Sequence, residues 1–464
     1  PMLVGVLVYV ALQMAFGVIV ARRISTEEDY LVAGRRLGPT VALFTIFATW
    51  FGAETCLAAA GRAFEGGLAE TTAEPIGYAA CLLLMGLVFA VPLWRLQLMT
   101  LADLFRQRFG RGAEKLSVIM MVPTSILWAA AQVRAFGQIL AAVSDMDVTV
   151  AVTLAAVVVI VYTSMGGLLA DAWSDLLQGG VLILGLLLLG FLFLRAEGLQ
   201  ALASIPPERL SLGAATPTIW DKAEVWAVPI LGSVLAQEMV ARVMASRSPQ
   251  VARSATVGAA ALYFCVGLIP VTLGLAAYGI VDVEHPEQIL VTLGSTYLPP
   301  VLDIVFAGAL VSAILSTVDS ALLVAGSLVA HNLVLPMLPA AGQPASQAGS
   351  ASGQRRRLLV NRVAVVGAGV LAYLLALSSE GVYELVQESS GFGTAGIFIA
   401  VVFGLFTRFG GSRSAIAAML AAVIVYSVGA YGGQLEHPFL ASLAAALTAY
   451  VAAAAYDRRL RAAA

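Results

Sequence analysis

The chain is written in long apolar blocks separated by short polar stretches. Runs such as "MLVGVLVYVALQMAFGVIV", "VTVAVTLAAVVVIVY" and "VLILGLLLLGFLFL" carry no charge over much or all of a helix's length. A stretch of about 18 apolar residues reads as a membrane span. Lipid admits only helices and closed barrels, because every backbone polar group must be paired within the protein. These blocks are too long and too continuous for the alternating strands of about ten residues that build a barrel. The pattern therefore predicts an all-α polytopic membrane protein of about 13 transmembrane helices, at 2–20, 39–63, 73–94, 116–143, 148–165, 172–194, 223–245, 254–280, 300–335, 358–378, 383–406, 414–431 and 438–456. These are called spans 1 to 13 below.

Composition agrees: 60% of residues are hydrophobic and 12% charged, where a soluble domain carries about 25% charge. No loop is long enough to bury a core of its own, so residues 1–464 read as one transmembrane domain. The stretch "MLPAAGQPASQAGSASGQRRR" is small and polar and suits a flexible cytoplasmic linker. The first block has neither a basic start nor a small-residue cleavage site, so it reads as a retained span.

Charge gives the orientation. With the loop after span 1 placed in the cytoplasm, 21 of the 26 Lys and Arg residues fall on the inner side. The excess of basic residues in cytoplasmic loops then predicts an outside N-terminus and a cytoplasmic C-terminus, in a plasma membrane of the bacterial inner-membrane type. The net charge of −2 is sorted by side rather than pooled in a basic patch, and no nucleic-acid partner is expected.

Catalytic signatures are missing. Cys56, Cys81 and Cys265 lie in apolar segments without a CxxC pair and read as buried small hydrophobes. His285, His331 and His437 are scattered over loops and helix ends with no HExxH, and no Ser has a neighbouring His. An enzyme is not expected.

Ionisable side chains within a membrane cost about 2.5–3.5 kcal/mol each on insertion scales, so each needs a reason. Four clusters carry them. In "FATWFGAETCLAAAGRAFEGG" (47–67), small residues surround Trp50, Glu54 and Thr55. They suit either close helix packing or a helix broken near Phe51–Gly52 that frees carbonyls for an ion. In "VYTSMGGLLADAWSDLLQGG" (161–180), Asp175 and Gln178 share a face near the start of span 6, with a water-exposed interfacial aspartate as the simpler reading. In "PILGSVLAQEMVARVMASRSPQVAR" (229–253), Pro229 and Gly232 can break span 7. Glu238 and Arg242, four apart, read as a helix-surface ion pair. In "SAILSTVDSALL" (312–323), Ala313, Ser316 and Thr317 stand at i, i+3 and i+4 on one helix face. Their hydroxyls can back-bond within the helix or, with carbonyls of a broken neighbour, form an uncharged oxygen cluster of the kind hard cations take.

Taken together these pieces resemble the sodium:solute symporter family. The resemblance runs from about residue 30 to 430 and is carried by "YLVAGRRLG", "FATWFGAET", "YTSMGGLLADAWSDLLQ", the Gln and Arg of span 7, and "ALVSAILSTVDSALL". It implies a LeuT-type 5+5 inverted-repeat core. The first repeat covers about 39–194 and the second about 223–406, with 2–20, 414–431 and 438–456 peripheral. Ion and substrate sites of such folds lie near the midplane, at the broken first helix of each repeat. Carried onto this chain, the resemblance implies a sodium site made by the carbonyls of Ala48, Phe51 and Ala313 and the hydroxyls of Ser316 and Thr317. Asp175 is implied on the ion's inward path, and Asp319 at a second cation site.

The function implied is sodium-coupled import of a small polar organic solute by alternating access, with sodium as coupling ion and no cofactor. Candidate substrate contacts are Trp50, Glu54 and Thr55 in span 2, Glu74 and Tyr78 at the start of span 3, and Gln132 and Arg134 in span 4. Trp226 and Gly232 in span 7, and Glu384, Gln387, Glu388 and Ser389 in span 11, complete them. Thr55 stands where sugar-carrying members have Gln, and "ATW" is similar to choline-type members, while Arg134 beside an acid would suit a zwitterion. Two other readings stay open: a proton-coupled symporter of the same fold, which would use Asp175 or a buried Glu, and a transporter-like membrane sensor. Oligomeric state is not read from the sequence.

Overall fold

The computed structural model describes residues 24–71, 73–144, 146–165, 167–211, 218–283, 285–338, 351–379, 381–433 and 435–463, with a few isolated positions of span 1. Nearly everything described is helical; the one ladder contact is an isolated bridge between Leu37 and Ser246. Among the described residues nine helices are long and apolar enough to cross a membrane, from Leu68–Arg95 to Pro438–Leu460. Two bent pairs, Pro39–Trp50 with Glu54–Gly66 and Ile219–Gly232 with Gln237–Ala245, and the shorter apolar helix Val148–Ser164 supply the rest. These elements coincide with expected spans 2 to 13. Most of span 1 and the 340–350 linker lie outside the described residues.

Apolar burial cannot drive helix association in lipid, so close packing through small residues does the work. The contacts show where. A Cβ on Gly274 of span 8 would meet the Ala60 carbonyl at 2.2 Å, and one on Gly326 of span 9 would meet Val365 backbone nitrogen at 2.7 Å. Span 9 is the central post: in Pro300–Ser327 every residue from Phe306 onward is buried, as expected of a helix apolar on all sides. It packs against spans 4, 5, 6 and 10 and the first half of span 2.

Three sequence expectations change. Span 11 is not one rod: Val382–Gly391 and Thr394–Phe406 are separated at Gly393, whose φ of +70° is in the region that favours glycine. Cys265 is exposed rather than buried, because it lies on a face of span 8 that no helix covers among the described residues. His331 is not a simple interfacial residue. Its ring stands 2.9 Å from Glu27 and 3.6 Å from Asp103, and Arg357 reaches Glu27 at 2.7 Å. This tie joins the segment before span 2 to spans 9 and 10. Burial pushes the Glu27 carboxyl up, but His331 and Arg357 more than offset it and hold it below its ordinary value.

Candidate functional site

Span 2 stops being helical at Phe51, which has φ −87° and ψ 64°. The halves on either side are bent by 59°. Gly52 permits the close approach that follows: a Cβ there would stand 2.7 Å from Thr317 Oγ1 and 2.8 Å from Gln132 Oε1. The unwound turn is therefore pressed between span 9 and span 4. Gln132 Oε1 accepts from the Ala53 N–H at 2.9 Å, and its Nε2 donates to Glu54 Oε2 at 2.8 Å.

The break leaves carbonyls at the end of Pro39–Trp50 without the usual helical donors. One of them, Ala48 O, lies 3.2 Å from Thr317 Oγ1, and Ala313 O lies 3.2 Å from the same hydroxyl. Ser316, one position earlier on span 9, donates to Asp175. Of the five residues expected at a sodium site, Ala48, Ala313 and Thr317 meet where span 2 bends against span 9, Phe51 forms the bend, and Ser316 turns to Asp175. Oxygen ligands about 2.4 Å from a hard cation stand about 3.4 Å apart at right angles around it. Here the Thr317–Ala313 contact is the back-bond within span 9, and the bond to Ala48 O is the one that joins the two spans.

Asp175 is fully buried, so the reading of an aspartate in water is replaced by a buried network. Thr45 Oγ1 donates to Asp175 Oδ2 at 2.5 Å. The Arg242 guanidinium, itself fully buried, donates to Asp171 Oδ2 at 2.5 Å and to Ser320 Oγ. It also donates to Thr45 O at 3.2 Å and stands 3.8 Å from Asp175. The expected Glu238–Arg242 surface pair is therefore corrected. Arg242 bonds the main-chain carbonyl of Glu238, and its charge goes to span 6. Asp319 accepts from Thr163 of span 5. Thr45, Asp171 and Ser320 went unremarked in the sequence. Asp171 sits four residues before Asp175 on one face, which was the available signal.

The second group of acids is enclosed differently. Glu74 Oε2 accepts from Tyr263 OH at 2.5 Å, and that hydroxyl lies 2.7 Å from Thr55 Oγ1. Span 8 thus supplies, through Tyr263, a partner that no motif indicated. Trp50 packs on Trp128 of span 4 with centroids 5.4 Å apart, and Tyr78 meets Trp128 edge-on at 6.2 Å.

Span 7 breaks between Gly232 and Gln237, directly after Pro229, with a bend of 43°. Gly232 again marks a close approach: a Cβ there would fall 2.1 Å from the Ser390 carbonyl. Ser233 Oγ donates to Ser390 Oγ at 3.0 Å, and Tyr78 OH lies 3.1 Å from it. A cavity opens beside this break, lined by Trp128, Gly232, Ser233, Glu238, Ser389 and Ser390 among others.

The remaining candidates are spread more widely. Glu54, Thr55 and Glu74 are buried beside the break of span 2 but do not line the cavity. Trp226 is half-buried in the first half of span 7. Glu388 turns to span 12, where Tyr431 OH donates to it. Arg134 donates to the Ala376 carbonyl of span 10 at 3.1 Å. The side chains of Glu384 and Gln387 lie outside the described residues. Among the described residues no group of three or more His, Cys, Asp or Glu could hold a metal ion.

Comparison with known proteins places this geometry. A family model described as the sodium:solute symporter family matches residues 30–422. The chain is 28% identical over 376 residues to a high-affinity choline transporter of Drosophila melanogaster, covering 78% of this chain and 59% of that protein. It therefore spans less than two thirds of that relative's length. It is 24% identical over 441 residues to the high-affinity proline transporter PutP of Bacillus subtilis, covering 89% of each. Its fold matches a solved Na+-coupled sialic acid symporter in a substrate-bound outward-open state, with TM-score 0.80 at 18% identity, covering 98% of this chain and 97% of that one. The helical architecture is thus of the LeuT type that the sequence led one to expect.

Proposed function

Because the chain belongs to the sodium:solute symporter family, we propose that it is a sodium-coupled secondary active symporter importing a small polar organic solute by alternating access. The observation that carries this reading is the oxygen cluster at the bend of span 2, where Thr317 Oγ1 stands 3.2 Å from both Ala48 O and Ala313 O. Sodium held there would tie the unwound turn of span 2 to span 9. Without the ion, that turn keeps only hydrogen bonds such as those from Thr317 and Gln132. Ion binding and the shape of the neighbouring solute cavity are coupled in this way, since Trp50, the last residue before the bend, packs on Trp128 of the cavity wall.

Residues 39–194 and 223–406 are the two repeats that rock against each other, and each begins with one of the bent pairs. An inside-negative membrane supplies about 2.3 kcal/mol per charge per 100 mV, to which a sodium gradient adds. One ion is enough to drive a neutral solute well uphill. Choline and proline, which give two relatives their names, are both small organic solutes with a cationic nitrogen. The N-terminus lies outside and the C-terminus in the cytoplasm. Cysteines introduced at 340–350 are expected to react with an impermeant maleimide only from the cytoplasmic side. Labelling in intact cells would reverse the orientation.

The deciding experiment is thermal stability of the purified protein, titrated with sodium against potassium at constant ionic strength. A ligand bound only by the folded state stabilises it by RT ln(1 + [L]/Kd), about 2.7 kcal/mol at a hundredfold excess over Kd. A sodium-selective rise in Tm is expected. An equal response to potassium would remove sodium coupling and bring proton coupling through the buried aspartates forward.

A further inference from the structure

We infer that Glu238, at the break of span 7, is the anionic anchor of the solute site and selects a solute that carries one positive charge and no carboxylate. The inference rests on the symporter reading above and adds the residue and the ligand charge.

Three observations converge on this residue. Glu238 lines the cavity between spans 4, 7 and 11, and among the described residues it is the only acidic one to do so and no Lys, Arg or His joins it. Its side chain is 94% buried, taking 6% exposure, and its Oε1 has no hydrogen-bond partner. Buried acceptors are rarely left unpaired, because each costs about 1–3 kcal/mol. The nearest cation on its own helix, Arg242, is committed to Asp171, Ser320 and Thr45 and touches Glu238 only at the main-chain carbonyl. Among the described residues Glu238 has no ion-pair partner.

The helix start partly offsets the cost of burying a carboxylate here. Glu238 is the second residue of Gln237–Ala245, a helix of 9 residues that starts at the break. The unsatisfied N–H groups of a helix start favour negative charge. A buried carboxyl that Ser125 bonds and that keeps one oxygen free, facing a cavity lined by no basic group among the described residues, calls for a cation. Trp128, which also lines the cavity, offers an indole face of the kind that attracts ammonium groups. A zwitterion fits worse: its carboxylate would find hydroxyls of Ser233, Ser389 and Ser390 but no positive partner. The acids proposed from the sequence, Glu54 and Glu74, also keep one unpaired oxygen each beside their bonds to Gln132 and Tyr263, but neither lines the cavity. Glu238 therefore takes the role expected of them.

The test is binding to the purified full chain, read by thermal shift and by calorimetry with and without sodium. The probes are choline, its neutral isostere 3,3-dimethylbutan-1-ol, and proline. Choline is expected to bind the wild type, with the neutral alcohol and proline weaker by about tenfold or more. Glu238→Gln is expected to weaken choline by about tenfold or more while keeping the sodium-dependent shift, and Glu238→Asp to retain choline binding. Three results would overturn the inference: no choline binding to the wild type, equal binding of the alcohol or proline, or choline binding to Glu238→Gln within about twofold of wild type. If Glu238→Gln fails to fold, the wild-type probe comparison still tests the ligand charge, and Glu238→Asp, expected to keep choline ahead of the neutral alcohol, tests the anchor. Loss of the sodium shift in the wild type would sink the symporter reading instead, and the sodium-free choline titration would still report on Glu238.

Discussion

Replacing Ser316 and Thr317 together by Ala is expected to raise the sodium concentration for half-maximal uptake by about a hundredfold, with the protein still folded. The size follows from the interactions lost. A hydrogen bond or ligand contact to a charged group is worth about 1.5–3 kcal/mol, and each 1.4 kcal/mol is about tenfold in affinity. Single variants should separate the two hydroxyls. Thr317→Ser keeps an oxygen 3.2 Å from Ala48 O and Ala313 O and should stay near wild type. Thr317→Val keeps the shape and loses the oxygen, and it should carry much of the defect. Ser316→Ala has a second effect, because its hydroxyl also donates to Asp175. The measurement is initial uptake into proteoliposomes against sodium concentration. An unchanged sodium dependence in the double variant would remove the ion from this site.

The parts of this fold that rest on local pattern were legible in the sequence. Spans 2 to 13 follow from apolar length alone. The two breaks were visible because Gly52 and the Pro229–Gly232 pair interrupt otherwise continuous blocks. Ser316 and Thr317 stood out because hydroxyls in an apolar helix are conspicuous. What stayed hidden depends on pairing across distance. Arg242 and Asp171 are separated by 71 positions, and nothing local indicates the partner. The i,i+4 rule favoured Glu238, which is a neighbour on the helix surface only. Tyr263 of span 8 looks like an ordinary apolar-face aromatic until it is seen bonded to Glu74. Glu388 looked like a pocket residue because it precedes "SSGFGTAG", but its helix turns it toward Tyr431. The same geometry moves the interest from Glu54 and Glu74 to Glu238, an acid whose sequence context suggested a simple ion pair.

The buried charge network leads to the second large effect: Arg242→Met is expected to lower stability by about 3–5 kcal/mol, against total stabilities of about 5–15 kcal/mol for folded proteins. Arg242 is fully buried, and its donors reach spans 2, 6 and 9 from span 7. Removing it leaves Asp171 and Asp175 in low dielectric without their cation, 2.5 and 3.8 Å from where it stood. The cost of such a change comes from the abandoned charge more than from the lost bonds. Removing that charge as well should therefore recover stability, so Asp171→Asn combined with Arg242→Met is expected to regain more than half of the loss. The check is thermal stability of both variants in the same detergent. A single variant within about 1 kcal/mol of wild type would mean that the ion pair is screened by water and does not hold the four spans together. If the double variant is as unstable as the single, the guanidinium matters for its bonds to Thr45 and Ser320 rather than for its charge. The recovered double variant also separates scaffold from transport. Asp175 then keeps Thr45 and Ser316 as donors but has lost the neighbouring cation. A change in its sodium dependence would tie Arg242 electrostatically to the oxygen cluster one helix face away.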